Sequence, residues 1–232
     1  MSALRDRTVV VTGASSGIGR SLAVALVGAG ARVVAAARSA DKLEQLAAAL
    51  GPALRPVVAD VVAPDAVQRL ADAAGPVDAV VNNAGLGHVE PFLDADPRRW
   101  QATLDVNLIG ALLVARAFLP AMLDAGRGVI LNVGSASASG WPYLTLYAAS
   151  KAALHAASLA MDREYAGRGV RVLSVEVGPT AGTDFGSHSD PAHLPTAARA
   201  WTALGIPWNT GVTKPADSAA AILAALDAAL VG

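Results

Sequence analysis

The sequence contains no cysteine, which excludes disulfide bonds and thiolate metal ligands. Only 16% of its 232 residues are charged, the formal net charge is -1, and no run of Lys or Arg forms a basic patch. We therefore predict no nucleic-acid partner. Hydrophobic residues make up 53% of the chain, so it can bury a sizeable core and does not have the composition of a disordered protein.

Membrane-directed features are also scarce. The N-terminal segment has no apolar signal core, and we expect no apolar run long enough for a membrane span. The C-terminal "SAAAILAALDAALVG" carries Asp227, which favours a packed terminal helix over an anchor. We predict a cytoplasmic protein with no membrane partner. The four histidines have no second ligand at metal-binding spacing, so we predict no metal site.

Short β-branched runs alternate with alanine-rich helical stretches along the whole chain. The runs are apolar on both faces, which is typical of strands covered by helices on both sides. This alternation predicts an α/β fold, a doubly wound parallel sheet, with residues 1–232 forming a single domain. The predicted strands are 7–13, 31–37, 54–60, 77–83, 128–134 and 170–177.

Two helical stretches are longer than the others. One begins near Pro97 with Asp96 as its N-cap, and the other runs from about Tyr147 to Tyr165. Their small-residue faces could pack against the sheet or against a second subunit. We therefore predict a homo-oligomer, either a dimer through these helices or a tetramer.

The first predicted strand runs directly into "TGASSGIG", residues 12–19, and then into an apolar helix. Glycines at 13, 17 and 19 would let the backbone approach a pyrophosphate, and the free N–H groups of the helix N-terminus would bind it. The order of strand, turn and helix makes this motif more specific than its glycines alone.

The end of the second predicted strand carries no acid, and Arg38 follows it directly. A guanidinium can bind a 2′-phosphate with two hydrogen bonds, whereas a carboxylate would repel it. NADP(H) is therefore favoured over NAD(H), unless Arg38 is an ordinary exposed arginine. Asp60 ends the third strand, where it could accept a hydrogen bond from the adenine amino group.

Several motifs occur together: "TGASSGIG", "NNAG" (82–85), "DVNLIG" (105–110), a serine at a strand end and "YAASK" (147–151). With these motifs the chain resembles the short-chain dehydrogenase/reductase family over roughly residues 7–185. The resemblance implies a Rossmann-type domain that moves hydride between a nicotinamide and a carbonyl or alcohol carbon. The implied substrate is a small carbonyl compound or alcohol.

Reduction of a ketone needs a proton donor at the oxygen. Lys151 lies four residues after Tyr147, on the same helix face, and a cation there could lower the pKa of the phenol. The family assigns these residues as the acid/base and as its ribose-binding, pKa-lowering partner. Ser135 ends the fifth strand and could hold the substrate oxygen, although a spacing one residue shorter than usual leaves Ser137 as an alternative. By resemblance, the Asn107 side chain helps to hold a water that relays protons to Lys151.

Backbone and side-chain positions around these motifs give the candidate cofactor site. Thr183 aligns best with the carboxamide-binding position, but the order Gly178-Pro179 is inverted relative to the family, so Val177 or its neighbours remain alternatives. The candidate cofactor-binding residues are Gly13, Ser15, Ser16, Gly17, Ile18, Gly19, Arg38, Asp60, Val61, Asn83, Ala84, Gly85, Tyr147, Lys151, Pro179, Thr180 and Thr183.

Residues 181–212 are predicted to form a lid over the substrate pocket. We place Ser137, Trp141, Tyr143 and Phe185 in that pocket, and the aromatic residues hint at apolar walls and a hydrophobic ketone. Two other functions stay open: a 3-oxoacyl-carrier-protein reductase, and a dinucleotide-binding regulatory protein without catalysis.

Overall fold

The computed structural model describes residues 2–187 and 189–231. Its centre is a six-stranded parallel sheet with the order β3-β2-β1-β4-β5-β6. This confirms the doubly wound sheet, and each strand lies within its predicted run, a few residues shorter. The strands are β1 Thr8–Thr12, β2 Arg32–Ala37, β3 Leu54–Val58, β4 Ala79–Asn82, β5 Gly128–Val133 and β6 Val170–Val175.

Helices cover both faces of the sheet. Two short 3₁₀ turns, at Gly51–Ala53 and Ala136–Ser139, and one π-helical segment, Asp105–Gly110, interrupt the regular pattern. The α-helices are α1 Gly17–Gly28, α2 Ala40–Leu50, α3 Pro64–Ala74, α4 Pro97–Leu104, α5 Ala111–Asp124, α6 Thr145–Tyr165, α7 His193–Ala203 and α8 Pro215–Val231.

The side chains of β1 show why the strand runs are apolar on both faces. Val9 and Val11 pack into one core with α1, α2 and α8, whereas Val10 packs into a second core with α3 and α5. Alternate side chains of a strand point to opposite faces, so a strand between two helical layers must be apolar at every position. The C-terminal segment forms α8, whose Ile222 and Leu226 are fully buried in the first core.

The chain order determines where a ligand can bind. β1 pairs with both β2 and β4, because the chain moves outward through β2 and β3 and then returns to the other side of β1. In open parallel sheets, ligands bind at the carboxyl ends of the strands where this reversal occurs. The glycine turn after β1 and the "NNAG" segment after β4 both lie at that point.

The stretch 97–124 is one nearly continuous helical unit. Asp96 caps it, since its carboxylate accepts a hydrogen bond from Arg98 N at 2.9 Å. Contrary to our expectation for apolar runs, this stretch is long and apolar enough to cross a membrane by length and composition. It serves here as a core helix, because Val114 and Phe118 of α5 are buried against the sheet.

Candidate active site

The glycine turn and the segment after β4 are built against each other. Asn83 Nδ2 donates to Thr12 O at 2.9 Å, and the Thr12 hydroxyl accepts from Asn83 N at 3.0 Å and from Ala84 N at 3.1 Å. Gly13 has φ +67°, and a side chain there would collide with the Ala84 backbone and the Asn83 side chain. Gly19 has no room for a Cβ either, since Gly13 O and Asn83 Nδ2 occupy the space.

The N-terminus of α1 has the form of an anion site. Ser16 is the N-cap residue in an extended conformation, but its side chain makes no capping hydrogen bond. Its hydroxyl instead donates to Asp184 Oδ2 at 2.7 Å. Gly17, with φ +52°, lies below Thr183, whose Cγ2 would be 3.3 Å from an added Cβ. The segment after β6 therefore reaches the glycine turn, and an incoming pyrophosphate would meet the Asp184 carboxylate there.

The two residues proposed to contact the adenosine half follow neighbouring strands. Arg38 is exposed directly after β2, and Asp60 comes two residues after β3. Asp60 Oδ1 accepts a hydrogen bond from Val62 N at 3.2 Å. The Val61 side chain is buried in the second core and packs against Gly110, so only its backbone remains for a cofactor.

Ser135, Ser137 and Tyr147 lie together at the carboxyl end of β5. The two serine hydroxyls are 2.9 Å apart, and Ser135 Oγ accepts from Ser137 N at 3.2 Å. Burial raises the pKa of the Tyr147 phenol, and a hydrogen bond with Ser135 acts in the opposite direction. Ser135 is therefore the serine beside the tyrosine, and Ser137 forms hydrogen bonds with the Ser135 hydroxyl.

Lys151 lies one helical turn after Tyr147. Its ammonium donates to Val133 O at 2.7 Å and is 5.9 Å from the centroid of the Tyr147 ring. Only 4% of Lys151 is exposed, and burial lowers its pKa to about 8. Burial is thus the largest influence on the pKa of both Tyr147 and Lys151.

Asn107 lies in the π-helical segment and is 1% exposed. Its Nδ2 donates to Leu86 O at 2.8 Å and to Ser150 Oγ at 2.9 Å, and its Oδ1 accepts from Leu86 N at 2.7 Å. Both amide hydrogens are thus used by protein groups. The side chain ties the segment after β4 to α6.

Gly85 lies between the side chains of Asn107 and Lys151. A Cβ placed on it would be 3.5 Å from Asn107 Oδ1 and 3.8 Å from Lys151 Nζ. Of the candidate residues after β6, Thr183 is the one that reaches the glycine turn. Pro179 O accepts from Thr213 N at 2.9 Å, and the Thr180 hydroxyl lies 2.9 Å from that of Ser218. Through these hydrogen bonds, Pro179 and Thr180 hold the start of α8.

A small cavity lies beside Tyr147, and Tyr143 is among the residues that line it. Phe185 packs edge-on against the Tyr147 ring, with centroids 4.8 Å apart. Trp141, which we expected on the pocket wall, is 9% exposed and packs against Trp201 at 5.7 Å between centroids. Trp201 also packs against Trp208, with ring centroids 5.9 Å apart, so the three tryptophans bury their large rings against one another.

The cavity also contains residues that the sequence analysis did not assign: His88, Glu90 and Trp100. They are separated from the recognised motifs along the chain, and no local spacing connects them to Tyr147. Within residues 2–187 and 189–231, no group of three His, Asp or Glu side chains could hold a metal ion; His188, one of the four histidines, lies outside these residues.

A glycine turn at the reversal point of a doubly wound sheet, with a Ser–Tyr–Lys cluster beside it, defines a nicotinamide-dependent oxidoreductase. A family model described as short chain dehydrogenase matches residues 7–193, and the chain belongs to that family. It is 38% identical over 216 residues to an uncharacterized oxidoreductase of Staphylococcus saprophyticus, covering 85% of this chain and 92% of that protein.

Solved structures with the same fold hold different nicotinamide cofactors. A closed form of serine dehydrogenase complexed with NADP+ superposes with a TM-score of 0.81 at 31% identity, covering 93% of this chain and 87% of that one. A 3-ketoacyl-(acyl-carrier-protein) reductase from Brucella melitensis complexed with NADH gives a TM-score of 0.81 at 30% identity, covering 94% and 89%. Because these two structures hold different cofactors, the choice between NADP(H) and NAD(H) depends on the residues of this chain.

Proposed function

We propose that the protein is an NADP(H)-dependent carbonyl reductase or secondary alcohol dehydrogenase. The observation that carries this proposal is the hydrogen-bonded Ser135–Tyr147 pair with buried Lys151 one turn away. A phenol held next to a hydroxyl and a lysine is suited to move a proton at a substrate oxygen. The cluster lies at the same sheet edge as the glycine turn.

The residues present fit a dinucleotide. Gly13 and Gly19 let the turn pack closely against Asn83, and the Ser16 side chain makes no capping hydrogen bond, so the N–H groups at the N-terminus of α1 can bind a phosphate. Arg38, exposed after β2, is suited to a 2′-phosphate. The bound nicotinamide would supply or accept the hydride.

Four side chains have separate roles in the proposed reaction. In the reduction, Tyr147 gives its phenolic proton to the substrate oxygen, and Ser135 donates a hydrogen bond to the same oxygen as charge develops there. Lys151, whose Nζ is 5.9 Å from the centroid of the Tyr147 ring, supports the phenolate and binds the ribose. Asn107 positions the segment containing Gly85 through Leu86.

Replacement of Tyr147 by Phe tests this assignment. The change removes one oxygen from a ring that already packs against Phe185, so we expect turnover to be abolished while NADPH affinity stays nearly intact. Turnover is followed by NADPH absorbance with a panel of ketones, and affinity by NADPH fluorescence. Tyr165→Phe, at the other end of α6, is the matched control and should keep the wild-type rate. An unchanged kcat in Tyr147→Phe would contradict the proposal.

A further inference from the structure

Phe185 lies against the side chain that acts as the acid in the proposed reaction. Its ring meets the Tyr147 ring edge-on, with centroids 4.8 Å apart and planes at 64°. Two aromatic rings attract each other in this arrangement. Phe185 is nevertheless 43% exposed, so the ring is held at the phenol without being enclosed in a core.

Gly87 provides the space that the Phe185 ring occupies. A Cβ placed on Gly87 would collide with Cε2 of Phe185 and would lie 2.9 Å from Cδ2 of Tyr147. Both contacts are closer than the separation at which carbon atoms pack. A side chain at position 87 would therefore push the Phe185 ring away from the phenol.

The backbone on both sides of Phe185 is anchored. Asp184 Oδ2 accepts a hydrogen bond from the Ser16 hydroxyl at 2.7 Å, and Gly186 N donates to Gly87 O at 3.3 Å. The first contact ties the segment to the N-terminus of α1, and the second ties it to the loop after β4. Phe185 is thus fixed from both directions along the chain.

Little free volume remains next to Tyr147. The substrate oxygen must come within hydrogen-bond distance of the Tyr147 hydroxyl, so the groups on the reacting carbon lie close to the phenol. Phe185 fills one side of that ring, and the cavity beside Tyr147 has a volume of about 10 Å³, roughly enough for one water. A substituent as large as a phenyl group would need the place that the Phe185 ring fills, whereas a short alkyl group needs much less.

We propose that Phe185 limits the size of the substrate, so that the protein acts on ketones with small aliphatic substituents and on the corresponding secondary alcohols. Gly87 has a positioning role, because it leaves room for the ring beside Tyr147. A charged substituent is disfavoured as well, since it would lose water against an apolar ring without gaining a hydrogen bond. This inference rests on the proposed function.

The test compares butan-2-one with acetophenone, two methyl ketones that carry an ethyl or a phenyl group. Their reduction is measured as kcat/KM at saturating NADPH for the wild type, Phe185→Ala and Leu194→Ala. Leu194 is an exposed residue in the first turn of α7 and is the matched control for truncation of an apolar side chain. Melting temperatures show whether each variant is folded, and NADPH fluorescence measures cofactor affinity.

We expect the wild type and Leu194→Ala to prefer butan-2-one by about tenfold or more, and Phe185→Ala to lower this ratio by about tenfold, because the truncation frees the volume of one phenyl ring. NADPH affinity should be the same in all three proteins. Equal use of both ketones by the wild type, preference for acetophenone, or an unchanged ratio in Phe185→Ala would overturn the size limit and leave the proposed function standing. NADPH binding without reduction of either ketone would contradict both.

Gly87→Ala tests the position of the ring independently. The added methyl group collides with Phe185, so we expect kcat/KM for butan-2-one to fall severalfold in the wild-type background and by less in the Phe185→Ala background, where that collision is absent. The contact with Tyr147 accounts for the loss that remains. An equal loss in both backgrounds would show that Phe185 does not lie on Gly87 in the working enzyme and would overturn the inference.

Discussion

Burial distinguishes Lys151 from an ordinary helix-surface lysine. The residue is 4% exposed, its Nζ donates to Val133 O at 2.7 Å, and its pKa falls to about 8. Below that pH the folded protein holds a buried charge with a carbonyl as its partner. Above it, the folded protein loses a proton that the unfolded chain keeps up to the ordinary lysine pKa near 10.5. Stability should therefore rise with pH across this interval.

Lys151→Met tests this directly. Methionine has a similar size and no charge, so the stability of the variant relative to the wild type should be higher at about pH 7 than near pH 10.5, by on the order of 3 kcal/mol. The difference should shrink as the pH approaches about 10.5, where the cost in the wild type has disappeared. Thermal unfolding across this range measures it. Lys42→Met, at an exposed position on α2, should show no such dependence; a constant Lys151→Met difference would refute the charge argument.

The sequence pattern was sufficient to pair Tyr147 with Lys151, because spacing of four on a helix places two side chains on one face. It left Ser135 and Ser137 open, since both follow the same strand. Only the three-dimensional position of the phenol distinguishes them. Nor could the sequence assign Trp100 and Glu90, because their shared cavity with Tyr147 depends on how two loops and a helix pack.

At the scale of elements, the segment after β6 covers the glycine turn. Thr183 lies over Gly17, Asp184 binds Ser16, and Phe185 packs on Tyr147. Three consecutive residues thus reach from the helix N-terminus to Tyr147. A pyrophosphate bound at the N-terminus of α1 would be repelled by the Asp184 carboxylate on Ser16, because both groups are anions.

Asp184→Asn should therefore tighten NADP+ binding. Removing the charge weakens the contact with Ser16 and removes repulsion towards the pyrophosphate, and we expect a severalfold lower Kd, with the effect reduced at high salt. Isothermal titration calorimetry at two ionic strengths measures it. Asp124→Asn, an exposed acid at the end of α5, controls for net charge and should leave Kd unchanged. Weaker binding in Asp184→Asn would show that this carboxylate supports the cofactor.

The 97–124 helical stretch shows one feature that the sequence pattern predicts and one that it does not. Asp96 and Pro97 predicted where this stretch begins, and the structure confirms Asp96 as its N-cap. The π-helical turn at Asp105–Gly110 was not predicted, because its apolar periodicity continues through it. That turn contains Asn107, whose side-chain amide forms hydrogen bonds with Leu86 and Ser150. The role of a buried amide depends on partners distant in sequence.

For the whole molecule, the strand order unites motifs that are far apart in the chain. β1 and β4 are neighbours although about 70 residues separate them, so the glycine turn meets the "NNAG" segment through Thr12. The alternation of strands and helices predicted this architecture, since a parallel strand between two helical layers must be apolar on both faces. The contacts of the segment after β6 could not be predicted, because they are made by loops without periodicity.

The central claim is that this cleft transfers hydride to and from NADP(H), with Arg38 selecting the 2′-phosphate. The most direct measurement is kcat/KM for NADPH and for NADH in the wild type and in Arg38→Asp, with one ketone substrate. The account predicts that the wild type prefers NADPH and that Arg38→Asp raises the KM for NADPH much more than that for NADH. Equal effects on both coenzymes, or oxidation of neither by the wild type, would contradict it.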